Sequence, residues 1–536
     1  MFADIALYNG QIVSMDENNR QYSAILIKNR RIVGLGNIEE MKPFIGGKTK
    51  VIDLQGKTVL PGFIDAHQHM FSLGNNLINL QCDQLSIADL VEEIEKRAAN
   101  LEPHEWIIGC GLDESRLVEK RLPQASDFNH ILNPIYITRY CYHTAVVNDR
   151  ALALAGVDEQ TVEPVGGEIL RDHSGKASGV LKENAMELVQ RVIPPYTVEQ
   201  IKQAISRADD YYIKQGVTSV HEAGMGLITG SLKEFRAFQE LILNNQLKIR
   251  VYGMVMDTFY SELLATQLLT GFGTEQFKIG AVKMFADGTL SGGTAAVREE
   301  YEEPIKGYGM LMYSDEELEQ KVLQAHMQGF QVAIHAIGDR AIEQVLNAYE
   351  KALAIYPRED HRHRIEHCKL SHPGIIERMK KLGVIPVPQP AMYHQHGNVY
   401  KRVLKPEVIN DYCPLYSFIN SGLKPAGSSD CPVVSGSPFL GIYAAMTRKT
   451  HTGETIVPEQ SLSLFEALKM YTVHGAYASF SENEIGTLEI GKYGDLIVLP
   501  RNFMSFCAEE IKETEVEMTI VNGEVCYENV SQTASN

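Results

Sequence analysis

The sequence predicts an α/β protein built on a (β/α)8 TIM barrel, with a β-sandwich domain made from both termini and a large insertion after barrel strand 1. Three observations predict this fold. Apolar strands alternate with helical stretches through the middle of the chain, both ends are rich in short strands, and polar residues recur where the middle strands end. Strands that alternate with helices form parallel sheets, and a barrel keeps its functional groups at the carboxyl ends of its strands.

Short strands and turns fill both ends of the chain. Near the start, Asn9-Gly10 is typical of a hairpin between two apolar runs, and a second Asn-Gly follows at 522–523. Isolated hairpins are marginally stable in water. We therefore expect residues 1–57 and 484–536 to pack together as one β-sandwich, with the final SQTASN frayed.

Nine candidates for buried strands follow residue 58, one more than a barrel requires. They cover residues 59–66, 135–140, 216–222, 248–256, 279–286, 330–336, 363–368, 384–388 and 423–429. The segment 135–140 is the spare one, because residues 74–205 make an oversized crossover with a mixed β and α character of its own. The sequence thus predicts a barrel over 58–483 that carries 74–205 as a separate lobe over its mouth.

Histidine and aspartate residues lie at or near the carboxyl ends of the remaining strands. In VLPGFIDAHQHMF, His67 and His69 end strand 1 and point the same way, because side chains alternate along a strand. The others are His335 on strand 5, His367 on strand 6 and Asp430 on strand 8. Each alone is also typical of a hydrogen-bonded core histidine or a helix N-cap. Together on one barrel face they indicate a divalent-metal site.

Lys283 lies inside the apolar strand IGAVKMF, where a charged ammonium carries a large desolvation cost. Three interpretations stay open for it. They are a carbamate formed with carbon dioxide that bridges two metals, a Schiff-base lysine, and an ion pair with Asp287. The surrounding set of metal-type residues favours the carbamate.

Composition argues against several classes of function. The formal net charge of −18 does not suit nucleic acid or an anionic membrane, because both require basic patches. The chain starts without a basic stretch and apolar core of a secretory signal, and no apolar run is long enough to span a bilayer. The eight cysteines include no C-x-x-C pair, as is typical of reduced thiols. We expect a cytoplasmic protein that acts on a small-molecule substrate.

The motifs resemble the amidohydrolase superfamily of metal-dependent hydrolases over nearly the whole chain. The resemblance rests on PGFIDAHQH, KMFADGT, QVAIHAIGDRAI, RIEHC, GSSDCPV and, near the end, GTLEIGKYGDLIVL. Within the insertion, EWIIGCGLDES, LPQASDFN, CYHTAVVNDRAL and GGEILRDHSGKASGVLKE are similar to the branch of N-substituted formamide deformylases. Together with the acidic composition, the resemblance favours a homodimer.

The resemblance implies metal contacts from six residues, which are His67, His69, Lys283, His335, His367 and Asp430. The more buried metal would be held by the strand-1 histidines and the strand-8 aspartate. The second would be held by the histidines of strands 5 and 6, with the carbamylated lysine between the two ions. A site with one metal would instead leave the lysine or one histidine to bind substrate. Zinc is expected, as one or two ions, although iron or manganese suits the same ligands.

The predicted activity is hydrolysis of a C–N bond other than a peptide bond, in an amide, N-formyl or N-acyl group. The metal would bring the pKa of water toward about 7 and polarise the carbonyl. Asp430 would then act as general base and afterwards as general acid toward the leaving amine. A deaminase or another metal-water hydrolase is the alternative, an aldolase would use Lys283 alone, and a non-catalytic regulatory or binding protein is the outside alternative.

Weaker predictions concern residues that contact the substrate. His221 ends strand 2, and Asp287 closes strand 4 on the same face as Lys283. The other candidates are His143, with its neighbour Tyr142, in the insertion and His394, with Met392, Tyr393 and His396, in the loop after strand 7. For each of them a purely structural role is the competing interpretation.

Overall fold

The computed structural model describes residues 2–139 and 143–529. Tyr142 and the terminal SQTASN, both part of the sequence predictions, lie outside the described residues. The strands are β1 (Ile5–Val13), β2 (Gln21–Lys28), β3 (Arg31–Gly36), β4 (Lys50–Asp53), β5 (Lys57–Pro61), β6 (Phe63–Gln68), β7 (Leu80–Gln81), β8 (Ile107–Leu112), β9 (Ile135–Arg139), β10 (Thr144–Val147), β11 (Gly167–Arg171), β12 (Ala177–Glu183), β13 (Val217–Met225), β14 (Arg250–Met256), β15 (Phe277–Phe285), β16 (Val332–Ala336), β17 (Arg364–His367), β18 (Ile385–Val387), β19 (Leu496–Arg501), β20 (Met518–Val521) and β21 (Glu524–Glu528).

The α-helices are α1 (Ile38–Met41), α2 (Met70–Ile78), α3 (Ile87–Ala98), α4 (Ala125–Phe128), α5 (Asp149–Ala155), α6 (Glu187–Gln190), α7 (Val198–Lys214), α8 (Lys233–Leu243), α9 (Tyr260–Thr266), α10 (Asp315–Met327), α11 (Asp339–Ile355), α12 (Pro373–Leu382), α13 (Pro390–Val403), α14 (Pro406–Ile409), α15 (Leu415–Asn420), α16 (Pro438–Thr447), α17 (Leu464–Met470), α18 (Val473–Ala478) and α19 (Ala508–Lys512). None of the helices in the described ranges combines the length and the apolar character needed to cross a membrane.

Seven parallel strands form a nearly closed barrel. Their spatial order, β6-β13-β14-β15-β16-β17-β18, follows their order along the chain. Nearly all residues of these strands are buried, because helices cover the outside of such a sheet and side chains fill its inside. The predicted segments from 216–222 to 384–388 each overlap one strand from β13 to β18. The arrangement is consistent with the predicted TIM barrel.

The predicted eighth barrel strand, 423–429, does not form a regular ladder with either neighbour. It nevertheless bridges the gap between β18 and β6. The Ala426 amide donates to the Pro386 carbonyl at 3.0 Å, and the Asp430 amide donates to the His67 carbonyl at 2.7 Å. Proline at 386 and 425 removes ladder donors, which explains why pairing is interrupted there. The second of these bonds ties two predicted metal ligands together through their backbones.

Both ends of the chain contribute to one eight-stranded sheet. Its order is β21-β20-β19-β5-β1-β2-β3, with β4 beside β1. The two ends join where β19 runs antiparallel to β5, with Val498 opposite Val59. The predicted first barrel strand, 59–66, is corrected here, because its first three residues belong to β5 in this sheet and the barrel strand β6 begins at Phe63. The description of the domain as a sandwich stays a prediction.

Residues 71–207 form a second compact unit, close to the predicted insertion 74–205. Its six-stranded sheet has the order β11-β12-β10-β9-β8-β7. The strand β9, which corresponds to the spare candidate 135–140, lies in this sheet and not in the barrel. Two separate clusters of apolar side chains, one containing Ile137 and the other Tyr136, form its core. The predicted place of this unit over the barrel mouth stays a prediction.

Candidate metal centre

Three of the predicted ligands meet at the carboxyl ends of the barrel strands. His67, His367 and Asp430 are buried, and one ligand atom from each lies within 4.8 Å of the others. They come from β6, from the last residue of β17, and from the segment that bridges the barrel. His367 and Asp430 have positive φ angles of 70° and 61°. Such a backbone is uncommon outside glycine and here turns both side chains toward the same point.

The Asp430 carboxylate faces two imidazoles. Its Oδ1 lies 3.4 Å from Nε2 of His67 and 3.1 Å from Nε2 of His69. Ligand atoms around a tetrahedral ion with bonds of about 2.0 Å are about 3.3 Å apart, so this spacing suits a shared metal. Burial disfavours the charge on Asp430, but its contacts with the imidazoles of His67 and His69 hold the pKa of that carboxyl well below its ordinary value. We refer to His67, His69, His367 and Asp430 as the candidate metal centre.

Glu366 and Arg364 hold His67 in one orientation. Nδ1 of His67 contacts Oε2 of Glu366, and Arg364 donates to both oxygens of that carboxylate, at 2.5 and 3.0 Å. A carboxylate only accepts, so it fixes the imidazole proton on Nδ1 and turns the Nε2 lone pair toward Asp430. Although burial opposes ionisation, the charge of Arg364 and the hydrogen bond from His67 hold the pKa of Glu366 well below its ordinary value. Metal-binding histidines are commonly oriented by such a carboxylate.

An amide orients His367. The side chain of Gln389 donates to the Val387 carbonyl at 2.7 Å and to the Ser428 hydroxyl at 3.0 Å. Its Oε1 therefore faces Nδ1 of His367, at 2.7 Å. Because Oε1 only accepts, Nδ1 carries the proton and Nε2 keeps its lone pair.

The donor set fits a divalent ion. With His67 in the tautomer that Glu366 imposes, its Nε2 and the Asp430 Oδ1 are both electron-pair donors, buried and 3.4 Å apart. Two such groups repel each other unless a cation or proton lies between them. Neutral imidazole nitrogens together with a carboxylate oxygen are typical ligands of zinc and of neighbouring first-row metals.

His335 lies beside this centre in the opposite tautomer. Its ring centre is 4.4 Å from that of His367, but its Nε2 is 2.9 Å from the Gly288 carbonyl. A carbonyl only accepts, so Nε2 carries the proton and Nδ1 is the nitrogen left to bind a metal. Burial, together with the charge of Lys283, lowers the pKa of His335 to about 3. His335 is therefore neutral at physiological pH.

Lys283 is fully buried, and its Nζ has no hydrogen-bond partner among the described residues. Burial lowers its pKa to about 8, against the opposing effect of Glu366 and Asp430. Part of the population is thus a neutral amine near pH 7, which is the form that carbamate or Schiff-base chemistry requires. The carbamate interpretation stays a prediction.

The Asp287 carboxylate accepts hydrogen bonds from backbone amides. Its two oxygens accept from the amides of Ala296, Ile337 and Gly338, at 2.8 to 3.0 Å. Its Oδ1 also lies 3.5 Å from Nε2 of His335. Within residues 2–139 and 143–529, no ion pair joins Asp287 to Lys283, so that interpretation of the lysine finds no support. The Asp287 side chain instead fixes the loops that follow β15 and β16.

The remaining substrate candidates make structural contacts. His221 is fully buried and accepts at Nδ1 from Arg364, at 2.9 Å. His394, on α13, donates from Nδ1 to the Lys449 carbonyl at 2.8 Å. His143, in the second compact unit, lies 3.0 Å from Glu183 on an exposed surface. A contact between substrate and any of these residues stays a prediction.

Sequence reasoning missed the residues that orient the ligands. The sequence motif RIEHC contains Arg364 and Glu366 at alternate positions of a fully buried strand, and charged residues are rarely buried without a partner. Glu222, at the end of β13, was also missed. It accepts from the Met70 amide at 2.6 Å, and its other oxygen lies 3.8 Å from Nδ1 of His69.

Similar proteins identify the family to which the chain belongs. The amidohydrolase family model (Amidohydro_3) matches residues 50–527. Protein LONG AFTER FAR-RED 3 of Arabidopsis thaliana is 32% identical, over 98% of this chain and 92% of its own. N-substituted formamide deformylase of Arthrobacter pascens is 29% identical over 98% of both chains. The crystal structure of an uncharacterized metal-dependent hydrolase from Pyrococcus horikoshii OT3 has a TM-score of 0.79 and 28% identity, covering 94% of this chain and 99% of that one. The predicted resemblance is confirmed, and the chain belongs to the amidohydrolase family.

Proposed function

We propose that this protein is a metal-dependent hydrolase that cleaves a C–N bond in an amide, N-formyl or N-acyl substrate. The observation that carries the proposal is the convergence of His67, His367 and Asp430 at the carboxyl ends of the barrel strands. Family membership supports hydrolysis of a small molecule. The relative named N-substituted formamide deformylase makes N-formyl amines the first substrates to try.

The candidate metal centre would hold the ion, proposed to be zinc, and His335 with Lys283 would extend the set if a second ion binds. When bound, the metal supplies Lewis acidity, which acidifies water and polarises the scissile carbonyl. Hydrogen bonds within the protein fix the tautomers of the imidazoles that would bind the metal. Glu366 keeps the proton of His67 on Nδ1, and Gln389 does the same for His367.

Asp430 is the proposed proton carrier. Its depressed pKa keeps it ionised at neutral pH, so that it can accept a proton. Oδ1 is turned toward His67 and His69, which leaves Oδ2 to take the proton of the attacking water and return it to the leaving nitrogen. The second oxygen thus acts as general base and then as general acid.

The variant Asp430→Asn tests this assignment. We expect it to keep most of the bound metal, measured by elemental analysis, and to lose at least about 100-fold in turnover, as is typical when a general acid–base group is removed. Asp210→Asn is a matched control, because Asp210 forms an exposed ion pair with Lys248. Full activity in Asp430→Asn would refute the role.

Product analysis separates the proposed reaction from the deaminase alternative. N-formyl amines, N-acyl amino acids and aminopyrimidines should be screened with the metal-loaded enzyme. Release of an amine together with formate or another carboxylic acid supports the proposal. Release of ammonia from the aminopyrimidines alone would replace it with deamination.

A further inference from the structure

Lys369 is a buried cation without a counter-ion in contact. Only 5% of the residue is exposed, and its Nζ lies 3.2 Å from the Met392 sulfur and 3.3 Å from the Tyr400 hydroxyl. Across the described part of the chain, no carboxylate lies within ion-pair distance of this ammonium. Burying a charge beside a thioether and a phenol is costly, because neither partner is an anion and sulfur is a weak acceptor.

The position of Lys369 places it at the end of the barrel that carries the ligands. It follows His367 by two residues. The flanking amides of Cys368 and Leu370 donate to the carbonyls of Ala336 and Ile337, each at 3.1 Å. These two carbonyls belong to the last residue of β16 and the residue after it. Lys369 therefore lies just beyond the carboxyl ends of two adjacent barrel strands.

Asp287 is the carboxyl whose ionisation Lys369 affects, and it is not a free counter-ion. The charge of Lys369 acts to lower the pKa of Asp287, but burial prevails and raises that pKa to about 7. Both Asp287 oxygens already accept from backbone amides. The two side chains are electrostatic neighbours, yet the carboxylate is committed to other donors.

The side of α13 that faces Lys369 carries groups that suit an anion. Tyr400 offers a hydroxyl, and its ring centre lies 5.1 Å from the ammonium. Burial and the charge of Lys369 lower the pKa of His396, so that ring is neutral at pH 7. Met392 is flexible, and its sulfur is a weak partner that an incoming carboxylate can displace. Met392 and His396 are two of the residues that the sequence predicted to line the pocket.

We propose that Lys369 binds a carboxylate on the substrate of the candidate metal centre. The substrate is then an amide that carries an anionic group, such as an N-formyl or N-acyl amino acid. This inference rests on the proposed function and narrows it. The buried lysine charge destabilises the protein without substrate, and the substrate carboxylate offsets that unfavourable energy when it binds.

The test compares matched substrates on the metal-loaded enzyme. N-formyl-leucine and its neutral amide, N-formyl-leucinamide, differ only in the carboxylate. We expect the wild type to prefer the acid, and Lys369→Met to lose about 10- to 100-fold in kcat/KM on the acid, mainly through KM. Activity on the amide should stay within about twofold of the wild type, and Lys369→Arg should recover part of the loss.

Lys424→Met is the matched control. The ammonium of Lys424 also lies over a tyrosine ring, 3.7 Å from the ring centre of Tyr477. Lys424 lies near the start of segment 423–429, however, whereas Asp430 follows the end of that segment. Lys424→Met should leave the preference for the acid unchanged. An equal loss on both substrates in Lys369→Met, or a wild type without preference for the acid, would overturn the inference.

Measurements of unfolding temperature and of ligand binding test the role of Lys369 independently of the proposed function. Met fills the site of the lysine stem without a charge, so Lys369→Met should unfold at the same temperature as the wild type or higher. A lower unfolding temperature would mark a structural lysine and count against the inference. If neither compound is hydrolysed, calorimetric binding decides about Lys369, and the product screen on other amides decides about the proposed function. Tighter binding of the acid that Lys369→Met abolishes supports the inference, and equal binding of both compounds overturns it.

Discussion

Two H-x-H pairs in this chain lie in different structural environments. His67 lies near the end of β6 and His69 directly follows that strand, whereas His361 and His363 lie just before β17. Only the first pair belongs to the candidate metal centre. The second pair forms a histidine cluster with His326 of α10, whose ring centre is 5.0 Å from that of His363. The difference lies in what each ring nitrogen already contacts.

Every ring nitrogen of the histidine cluster has a partner. His361 donates from Nε2 to the Leu382 carbonyl at 2.8 Å and accepts at Nδ1 from the His363 amide at 2.9 Å. His363 accepts at Nδ1 from the Val332 amide at 3.0 Å, so its Nε2 carries the proton and donates to His326, at 2.8 Å. His326 in turn reaches the Tyr356 carbonyl at 2.6 Å. No lone pair is left for a metal.

In His67 and His367 of the candidate metal centre, the outer ring nitrogen is hydrogen-bonded to a side chain that orients the ring. Glu366 and Gln389 take the Nδ1 protons of His67 and His367, and the inner nitrogens face Asp430 or one another. The position along the strand explains the contrast. At the amino ends of β16 and β17, neighbouring backbone groups satisfy the imidazoles of His361 and His363, whereas at the carboxyl ends the ligand atoms converge on one another. The hydrogen-bond partners of the ring nitrogens, and not the number of histidines, distinguish the candidate metal centre from the histidine cluster.

The largest effects should come from removing one histidine of each pair. We expect His67→Ala to weaken metal binding by at least about 100-fold, measured by competition with a chelator, because a ligand is lost. His363→Ala should keep its metal but lose about 2–5 kcal/mol of unfolding free energy, because it leaves a cavity and an unpaired Val332 amide. Metal loss in His363→Ala without unfolding would break the comparison.

The second prediction concerns the residue that orients His67. Glu366→Gln keeps the shape of the side chain, but the amide is a weaker acceptor and leaves Arg364 without its buried counter-charge. We expect metal affinity to fall about 10- to 100-fold and the free energy of unfolding to fall by about 3 kcal/mol or more. Glu350→Gln serves as control, because Glu350 pairs with Arg378 and Lys381 on the surface. Unchanged metal affinity in Glu366→Gln would show that His67 does not need this carboxylate.

Much of the metal site was predictable from the sequence because its parts are local. The H-x-H spacing puts His67 and His69 on one face of a strand, and the alternation of strands with helices places His367 and Asp430 at strand ends. The barrel rule then brings distant strand ends together. That chain of inference needs no tertiary detail, which is why the convergence of His67, His367 and Asp430 at one end of a barrel sheet could be predicted.

The tautomers and the orienting residues could not be predicted in this way. The partner of His67 is Glu366, 299 positions away, and the choice between Glu366 and any other buried acid depends on strand register. The irregular eighth segment depends on where Pro386 and Pro425 fall opposite their neighbours, a property of pairing and not of either segment alone. The motif HRHRIEHC mixes cluster and ligand histidines, and only the contacts separate them.

The third prediction uses acid to sharpen the same contrast. Burial lowers the pKa of His361 to about 4 from an ordinary 6.5, so the folded protein resists a proton that the unfolded chain takes up. The contribution to stability is present above pH 6.5 and is lost as pH falls toward 4, by about 3 kcal/mol. His361→Asn keeps an acceptor for the His363 amide and removes the titration. Denaturant unfolding between pH 7 and 4 should show a shallower loss of stability in the variant, and parallel curves would contradict the assignment.

The smallest effect is expected at His143, a histidine that belongs to neither group. Its side chain is 67% exposed and pairs with Glu183, whose side chain is 55% exposed, so the contact contributes little to stability. His143→Ala should unfold within about 1 °C of the wild type and bind metal unchanged. Any rise in KM would then report a contact with substrate, which is the role that the sequence predicts. The measurement is KM for N-formyl-leucine with His130→Ala as control, since His130 forms a similar exposed pair with Glu95. An unchanged KM would leave His143 a surface residue and confine substrate recognition to groups such as Lys369.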